Sequence, residues 1–307
     1  MMKSSFIKSI FIVSVIIIFT IFACNKTVKD QNDEETIISG KTNLLVDETL
    51  VPIIEDFKTV FEAQYKAKIN LISKSEKESI IALSKGEADI IILSRKLNKN
   101  ELAFFKQKKI NPVVTPFAID ALTFIKKKSV NDTLIALADV INFVKGEKNT
   151  IKGLVFDNPN SSSVRFICEL AGVKELPRNG IFSFNTNDEV IKHIATNEGM
   201  IGVVGLNWLS QSKPEMKQYI DTISVMYVKD DKGNYNYPSQ ESIATRKYPL
   251  ARVLYIINCQ GYEGLGMGFA SFIAGEIGQR ILLQSGLAPI REPSRNIIIR
   301  NQIEIKK

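Results

Sequence analysis

Between Thr42 and Leu93 the chain alternates short apolar runs with helical periodicity, and no other feature limits its fold as strongly. Residues 43–46 form an apolar run fit for a buried strand. After Asp47, Glu48 and Thr49, the residues Leu50, Ile53, Ile54, Phe57 and Phe61 recur three and four apart, with Pro52 in the first turn, which predicts an amphipathic helix. Residues 68–72 alternate like a strand. Ser75 and Glu78 have the spacing of a capping box, Ile80, Ile81 and Leu83 continue that helix, and Gly86 stops it. Residues 89–93 make a third apolar strand, and Asn98 with Glu101 opens a further helix. A β-α-β-α-β order in so short a span argues for parallel strands with right-handed crossovers.

The rest of the chain repeats this grammar with more interruptions. Strands are expected at 117–126, 151–156, 181–184, 200–204 and 253–258, and a hairpin over 222–228 and 235–237. Helices are expected at 136–145, from the polar loop 157–163 to about Ala171, from a cap at Asn187 to Thr196, and over 269–274 and 276–285. Gly264, Gly266 and Gly268 read as a flexible entry to the first of the last two. With 307 residues, the chain can build two domains, each with its own core. No internal repeat is present.

The N-terminus reads as an address. Lys3 and Lys8 precede an almost wholly apolar stretch, 9–22, which closes with Ala23 and Cys24. A positive start, a short apolar centre and a small residue before the cut describe a secretory signal, too short to span a membrane comfortably. The cysteine directly after Ala23 makes it resemble a bacterial lipoprotein signal, with Cys24 lipidated after cleavage of residues 1–23. Residues 24–36 are polar and read as a flexible tether.

Composition removes several function classes. The formal charge of +7 loses two units with Lys3 and Lys8, and no basic stripe interleaved with aromatics is present, so nucleic acid is not an expected partner. His193 is the single histidine, which excludes multi-histidine metal sites and leaves any Ser-His-Asp triad without support. No cofactor is expected and no enzyme is read. Ser210 and Lys213 have Ser-x-x-Lys spacing without its companion motifs. Cys168 and Cys259 could pair in an oxidising compartment or remain free thiols.

In open parallel sheets, ligands collect beyond the carboxyl ends of strands, where helix N-termini present free N–H groups. Three polar clusters occupy such places. Asp47, Glu48 and Thr49 follow the first strand. Ser94 and Arg95 follow the third. Ser161, Ser162 and Ser163 open a helix of the second half, with Arg165 one step inside. Hydroxyls, free amides and a guanidinium make an oxyanion cradle.

The chain resembles the phosphate-binding proteins of ABC-type importers, the PstS-like branch of the class II periplasmic binding protein fold. The resemblance runs from about Thr42 to Ile290. It rests on Asp89-Ile-Ile-Ile-Leu-Ser94-Arg95 with Leu97, on Ala118-Ile-Asp120-Ala121-Leu122, and on Gly199-Met-Ile-Gly-Val-Val-Gly205. Tyr248-Pro-Leu-Ala-Arg252, Phe269-Ala-Ser-Phe272, Gly278-Gln279 and Gly286-Leu-Ala-Pro289 continue it. It implies two α/β lobes, each a mainly parallel sheet flanked by helices, with residues 37–122 and 248–303 in lobe I and 123–247 in lobe II. Two linking strands, near Asp120 and near 248–252, would act as the hinge. The implied ligand set is Asp47, Thr49, Ser94, Arg95, Asp120, Ser161, Ser162, Ser163 and Arg165. Where the family's first ligand loop is Gly-Ser-Thr-like, this chain carries Asp47-Glu48-Thr49, and Ser161-Ser162-Ser163 stands for the family's Ser-Gly-Thr. An arginine often precedes that second loop in the family; Asp157 and Asn158 stand near its place, and Arg165 could substitute.

A carboxylate beside a doubly charged oxyanion repels it unless the ligand brings a proton to donate. Phosphate carries one at neutral pH and sulfate does not, so Asp120 or Asp47 in the pocket would select phosphate, with Arg95 neutralising charge; Asp120 serves equally well as a structural hinge residue. The expectation is a monomeric, extracytoplasmic, lipid-anchored protein that captures inorganic phosphate or a similar oxyanion, such as sulfate or molybdate, and delivers it to ABC permease subunits. The alternative is a non-transport surface or sensor protein on the same scaffold.

Overall fold

The computed structural model describes residues 35–128, 133–147 and 150–294. The signal segment, Cys24, most of the expected tether and residues 295–303 lie outside the described residues.

Strand β1 (Ser39–Asp47) passes through one 3-10 turn into α1 (Val51–Gln64), followed by β2 (Lys66–Lys74), α2 (Glu76–Lys85), β3 (Ile90–Leu93) and α3 (Lys99–Gln107). The long β4 (Val113–Lys127) leads to β5 (Leu134–Ala136), α4 (Leu137–Val144), β6 (Leu154–Phe156), α5 (Ser162–Ala171), β7 (Ile181–Ser183) and α6 (Asn187–Thr196). Then come β8 (Ile201–Gly205), α7 (Leu206–Ser210), α8 (Lys217–Ile220), β9 (Ile223–Val225), β10 (Tyr227–Lys229) and β11 (Tyr235–Asn236). The chain closes with α9 (Gln240–Ala244), β12 (Ala251–Asn258), α10 (Leu265–Ala274), α11 (Glu276–Ser285) and β13 (Ala288–Pro289).

Local chemistry accounts for the first elements. Pro52 sits in the first turn of α1, where its missing N–H costs nothing. The periodic Ile53, Ile54, Phe57 and Phe61 are its buried face. Both expected capping boxes are present: Ser75 with Glu78 opens α2, and Asn98 with Glu101 opens α3. Gly86 ends α2 in the left-handed conformation, at φ 73°.

The sheet runs β2-β1-β3-β12-β4-β8-β6-β7, with β13 and β9 also on β4. Its two arms, β2-β1-β3 and β8-β6-β7, are parallel. The centre, where β12 meets β3 and β4, is antiparallel. β4 belongs to both arms: up to Ala121 it pairs with β12, and from Leu122 it pairs with β8. The chain returns at Leu250, whose carbonyl accepts from the Leu122 N–H at 3.1 Å. Two α/β lobes are therefore joined by β4, which runs through both, and by the return of the chain at Leu250. Lobe I is packed around Leu44, Ile53, Phe57, Ile92, Phe117 and Phe269. Lobe II has apolar cores around Phe124, Phe156 and Val203, and around Val190, Ile194 and Val204.

Some details depart from the sequence reading. The cap of α6 is Thr186, whose hydroxyl accepts from the Glu189 N–H, and Asn187 is the first helical residue. The expected hairpin is split at Met226, with β9 on β4 while β10 pairs with β5 and β11. Gly266 and Gly268 lie inside α10. Gly268 is required by close approach: a Cβ there would stand 1.6 Å from the Ile37 carbonyl oxygen. The fold also begins earlier than the end of the expected tether, because the Glu35 carboxylate accepts from the Leu265 N–H and from Gln260 Nε2, both at 2.7 Å, capping α10. Cys168 and Cys259 are both free thiols. No helix of the described residues is long and apolar enough to cross a membrane.

Candidate functional site

The polar residues at the strand ends converge where the lobes meet. Asp47 ends β1, is fully buried, and its Oδ1 accepts from the Thr49 N–H at 3.0 Å. Across the cleft, Ser162 opens α5; its N–H donates to Asp47 Oδ2 and its hydroxyl to Asp47 Oδ1, both at 3.1 Å. The Thr49 hydroxyl donates to Asp157 Oδ2 at 3.1 Å and lies 3.4 Å from the Ser163 hydroxyl. Ser161 caps α5 and donates to Asp157 Oδ1 at 2.7 Å. Glu48 accepts from the N–H of Asn187 at 3.1 Å and from its side-chain amide.

Arg252 is the guanidinium at the centre. It faces Asp120 in the β12–β4 register, donates to Asp120 Oδ2 from Nε at 3.2 Å and Nη2 at 2.9 Å, and reaches the Ser162 hydroxyl from Nη1 at 2.9 Å. Both partners are buried. Asp120 Oδ1 has no hydrogen-bond partner.

Arg95 and Arg165 form a second group beside the first. Glu76 Oε1 accepts from Arg95 Nε at 2.9 Å and Arg165 Nε at 2.6 Å. Arg95 gives three further bonds, two to Glu101 and one to the Lys96 carbonyl. Arg165 bonds Glu169 and the Ser94 hydroxyl. Thus Asp47, Thr49, Asp120, Ser161, Ser162 and Ser163 are brought together, Ser94 and Arg165 stand beside them, and Arg95 is turned into Glu76 and Glu101.

Sequence reading left Glu48, Glu76, Asp157, Asn187 and Arg252 out of the ligand set. Glu48 and Asp157 stood in view as loop residues. For Arg252 the available signal was its place in the returning strand, which acquires meaning only once β12 is paired with β4.

So many carboxylates in one desolvated space resist ionisation. Burial, then the charges of Glu76 and Asp157, push the Asp47 carboxyl up to about 6. Burial and Asp157 push Glu48 up to about 8. Burial also raises Asp120, against the pull of Arg252, and raises Asp157, against its hydrogen bond from Ser161.

Gly205 permits this closeness. A Cβ there would lie 2.8 Å from the Thr49 carbonyl oxygen and 2.9 Å from its methyl group, too near for either to remain. Gly205→Ala is expected to part the two loops, shifting Trp208 emission to the red, while the melting temperature falls only slightly, because the lobe cores are untouched. Fluorescence beside a thermal melt checks this, and unchanged emission would contradict it.

Two α/β lobes joined by β4 and the returning chain, with helix N-termini and buried polar side chains meeting between them, define a two-lobed solute-binding architecture. The chain belongs to the PBP superfamily, whose domain description matches residues 32–276. It is 25% identical over 286 residues to the phosphate-binding protein PstS of Borreliella burgdorferi, covering 86% of this chain and 93% of that protein. Among solved structures it is similar to a substrate-binding protein from Clostridium perfringens with bound phosphate, at TM-score 0.66 and 19% identity, covering 82% of this chain and 100% of the other. It is also similar to an ABC-type phosphate transport receptor from Vibrio cholerae, at TM-score 0.60 and 15% identity, over 81% and 99% of the two chains.

Proposed function

We propose that this protein is an extracytoplasmic, lipid-anchored solute-binding protein that captures inorganic phosphate between its lobes for delivery to an ABC importer. One observation carries the reading. The N–H groups of Thr49 and Ser162 and the Ser162 hydroxyl, itself held by Arg252, converge on the two oxygens of a carboxylate, which is an oxyanion of smaller size. Relatives named for phosphate binding and transport support the choice of anion. The resemblance of residues 1–24 to a lipoprotein signal supports the anchor. The work of such a site is binding by lobe closure, and no turnover is assigned to it.

Of the two acids expected to select phosphate, Asp120 suits the role better. Both oxygens of Asp47 are occupied by donors, whereas Asp120 Oδ1 is a buried acceptor without a partner. A protonated phosphate oxygen can donate to it; sulfate offers only lone pairs there. Calorimetry with phosphate, sulfate and molybdate tests this. Phosphate is expected to bind at least tenfold more tightly than sulfate, and Asp120→Asn is expected to erase that preference. Failure to bind any of the three oxyanions overturns the functional reading. Unchanged selectivity in Asp120→Asn overturns the role of Asp120 alone.

A further inference from the structure

Three consecutive residues of one lobe I loop are bonded into lobe II. Asp47 takes the N–H and hydroxyl of Ser162, the first residue of α5, each at 3.1 Å. Glu48 takes the N–H of Asn187, the first residue of α6, at 3.1 Å, and its side-chain amide. The Thr49 carbonyl accepts from Asn207 Nδ2 at 2.9 Å and from Trp208 Nε1 at 3.1 Å. Both α5 and α6 are ten residues long, and a carboxyl group accepts from the first N–H of each, Asp47 at α5 and Glu48 at α6. Asp47 and Thr49 are fully buried and Glu48 nearly so, which means these bonds form with the lobes closed.

We propose that Asp47 and Glu48 form a built-in latch: tethered carboxyl groups that hold the lobes shut by filling the cleft's own oxyanion donors, and that an incoming phosphate must displace. The inference rests on the phosphate reading for the identity of the displacing ligand, but the latch itself does not.

The physical case is one of competition. A tethered group competes at the effective concentration its tether sets, so it occupies the donors without needing to be tight. Phosphate cannot sit on the Ser162 N–H while Asp47 does, and a dianion brought against the Asp47 carboxylate, ionised above about pH 6, would meet like charge at short range. Phosphate therefore binds the fraction of molecules in which the loop has withdrawn, and its apparent affinity is reduced by that fraction. A closed, ligand-independent state and a weakened phosphate affinity are two consequences of one cause.

The molecule carries its own reporter. Trp208 is the single tryptophan of the chain, is buried, and its indole N–H is one of the bonds across the cleft. The experiment uses the full-length protein, measures Trp208 emission and its quenching by acrylamide, and titrates with inorganic phosphate. Wild type is compared with the Asp47→Ala/Glu48→Ala and Asp47→Asn/Glu48→Gln double variants, each confirmed folded by circular dichroism. Without phosphate, wild type is expected to emit to the blue and resist quenching. The double alanine variant is expected to emit further to the red, to be quenched at least twofold more efficiently, and to half-saturate at a phosphate concentration at least tenfold lower. The Asn/Gln variant, measured at pH 7, keeps the shape but turns an amide NH2 toward one of the donors that both Asp47 oxygens accept from, so it is expected to fall between them, and it decides the question if the alanine variant does not fold. Identical emission and quenching in all ligand-free proteins overturns the latch. Equal or weaker phosphate binding by both variants overturns displacement. A red shift in the variants with no phosphate response in any protein keeps the latch and overturns the phosphate reading instead.

Discussion

Arg252→Met is expected to destabilise the protein by about 3–5 kcal/mol, roughly 10 °C in melting temperature for a chain of this size. Arg252 and Asp120 lie 2.9 Å apart with their side chains 2% and 0% exposed. Removing the guanidinium leaves a carboxylate with one oxygen already unpartnered and no route to water. Desolvation of that carboxylate, rather than loss of the attraction, sets the size of the effect. The second substitution Asp120→Asn in the same chain is therefore expected to restore most of the stability. It is not expected to restore phosphate binding, because the Ser162 hydroxyl has lost the donor that orients it. Thermal melts of the single and double variants at pH 7, followed by phosphate titration of the double variant, check both halves. A single variant melting within about 2 °C of wild type would show that the pair does not stabilise the hinge.

The second large effect is in pH. The Asp47 and Glu48 carboxyls stand at about 6 and about 8, above their ordinary 3.8 and 4.5. Stability contributed by a carboxyl raised in this way is complete below its unfolded value and is lost as pH climbs through the folded one. As far as these two groups decide it, the closed protein should therefore be most stable below about pH 4, lose stability through both carboxyls from there to about pH 6, and go on losing it through Glu48 until about pH 8. The groups facing Glu48 are Asp157, Asp47 and Asn187; those facing Asp47 are Glu76, Asp157, Arg252, Thr49 and Ser162. At 1.36 kcal/mol per unit, Glu48 alone accounts for about 4 kcal/mol between pH 5 and pH 9. Glu48→Gln is expected to melt like wild type at pH 5 and roughly 10 °C higher at pH 9. Parallel melting curves of the two proteins across that range would remove Glu48 as the source. Opening of the cleft releases the same charge, so the change should appear in Trp208 emission before it appears in the melt.

Much of lobe I was legible in the residues, for local reasons. The run 43–46, the spacing of Ile53, Ile54, Phe57 and Phe61, and the capping boxes at Ser75 and Asn98 each act within one turn or one strand. The clusters at 47–49 and 161–163 were legible too, because strand ends and helix starts are where unpaired N–H groups occur. Arg95 was not. Its place in the motif pointed to the anion, but Glu101, three residues beyond Asn98, both completes the capping box of α3 and takes two of the guanidinium donors. A residue that serves a cap cannot be seen from its spacing to be also an ion-pair partner.

The periodicity of the sequence by itself determined the order of the principal strands and helices and which short segments bring hydroxyls and free amides to the strand ends, while the two-lobed class came from the family resemblance. Periodicity and capping are written in neighbouring residues, so those conclusions need no knowledge of distant ones. Tertiary structure alone decided that Arg252 pairs with Asp120 across 132 positions, that Ser162 meets Asp47 across 115, and that Asn187 meets Glu48 across 139. Contacts of that range depend on strand register and on how one lobe swings onto the other. Whether a loop of acids faces water or fills an oxyanion cradle is settled only when the chain has closed.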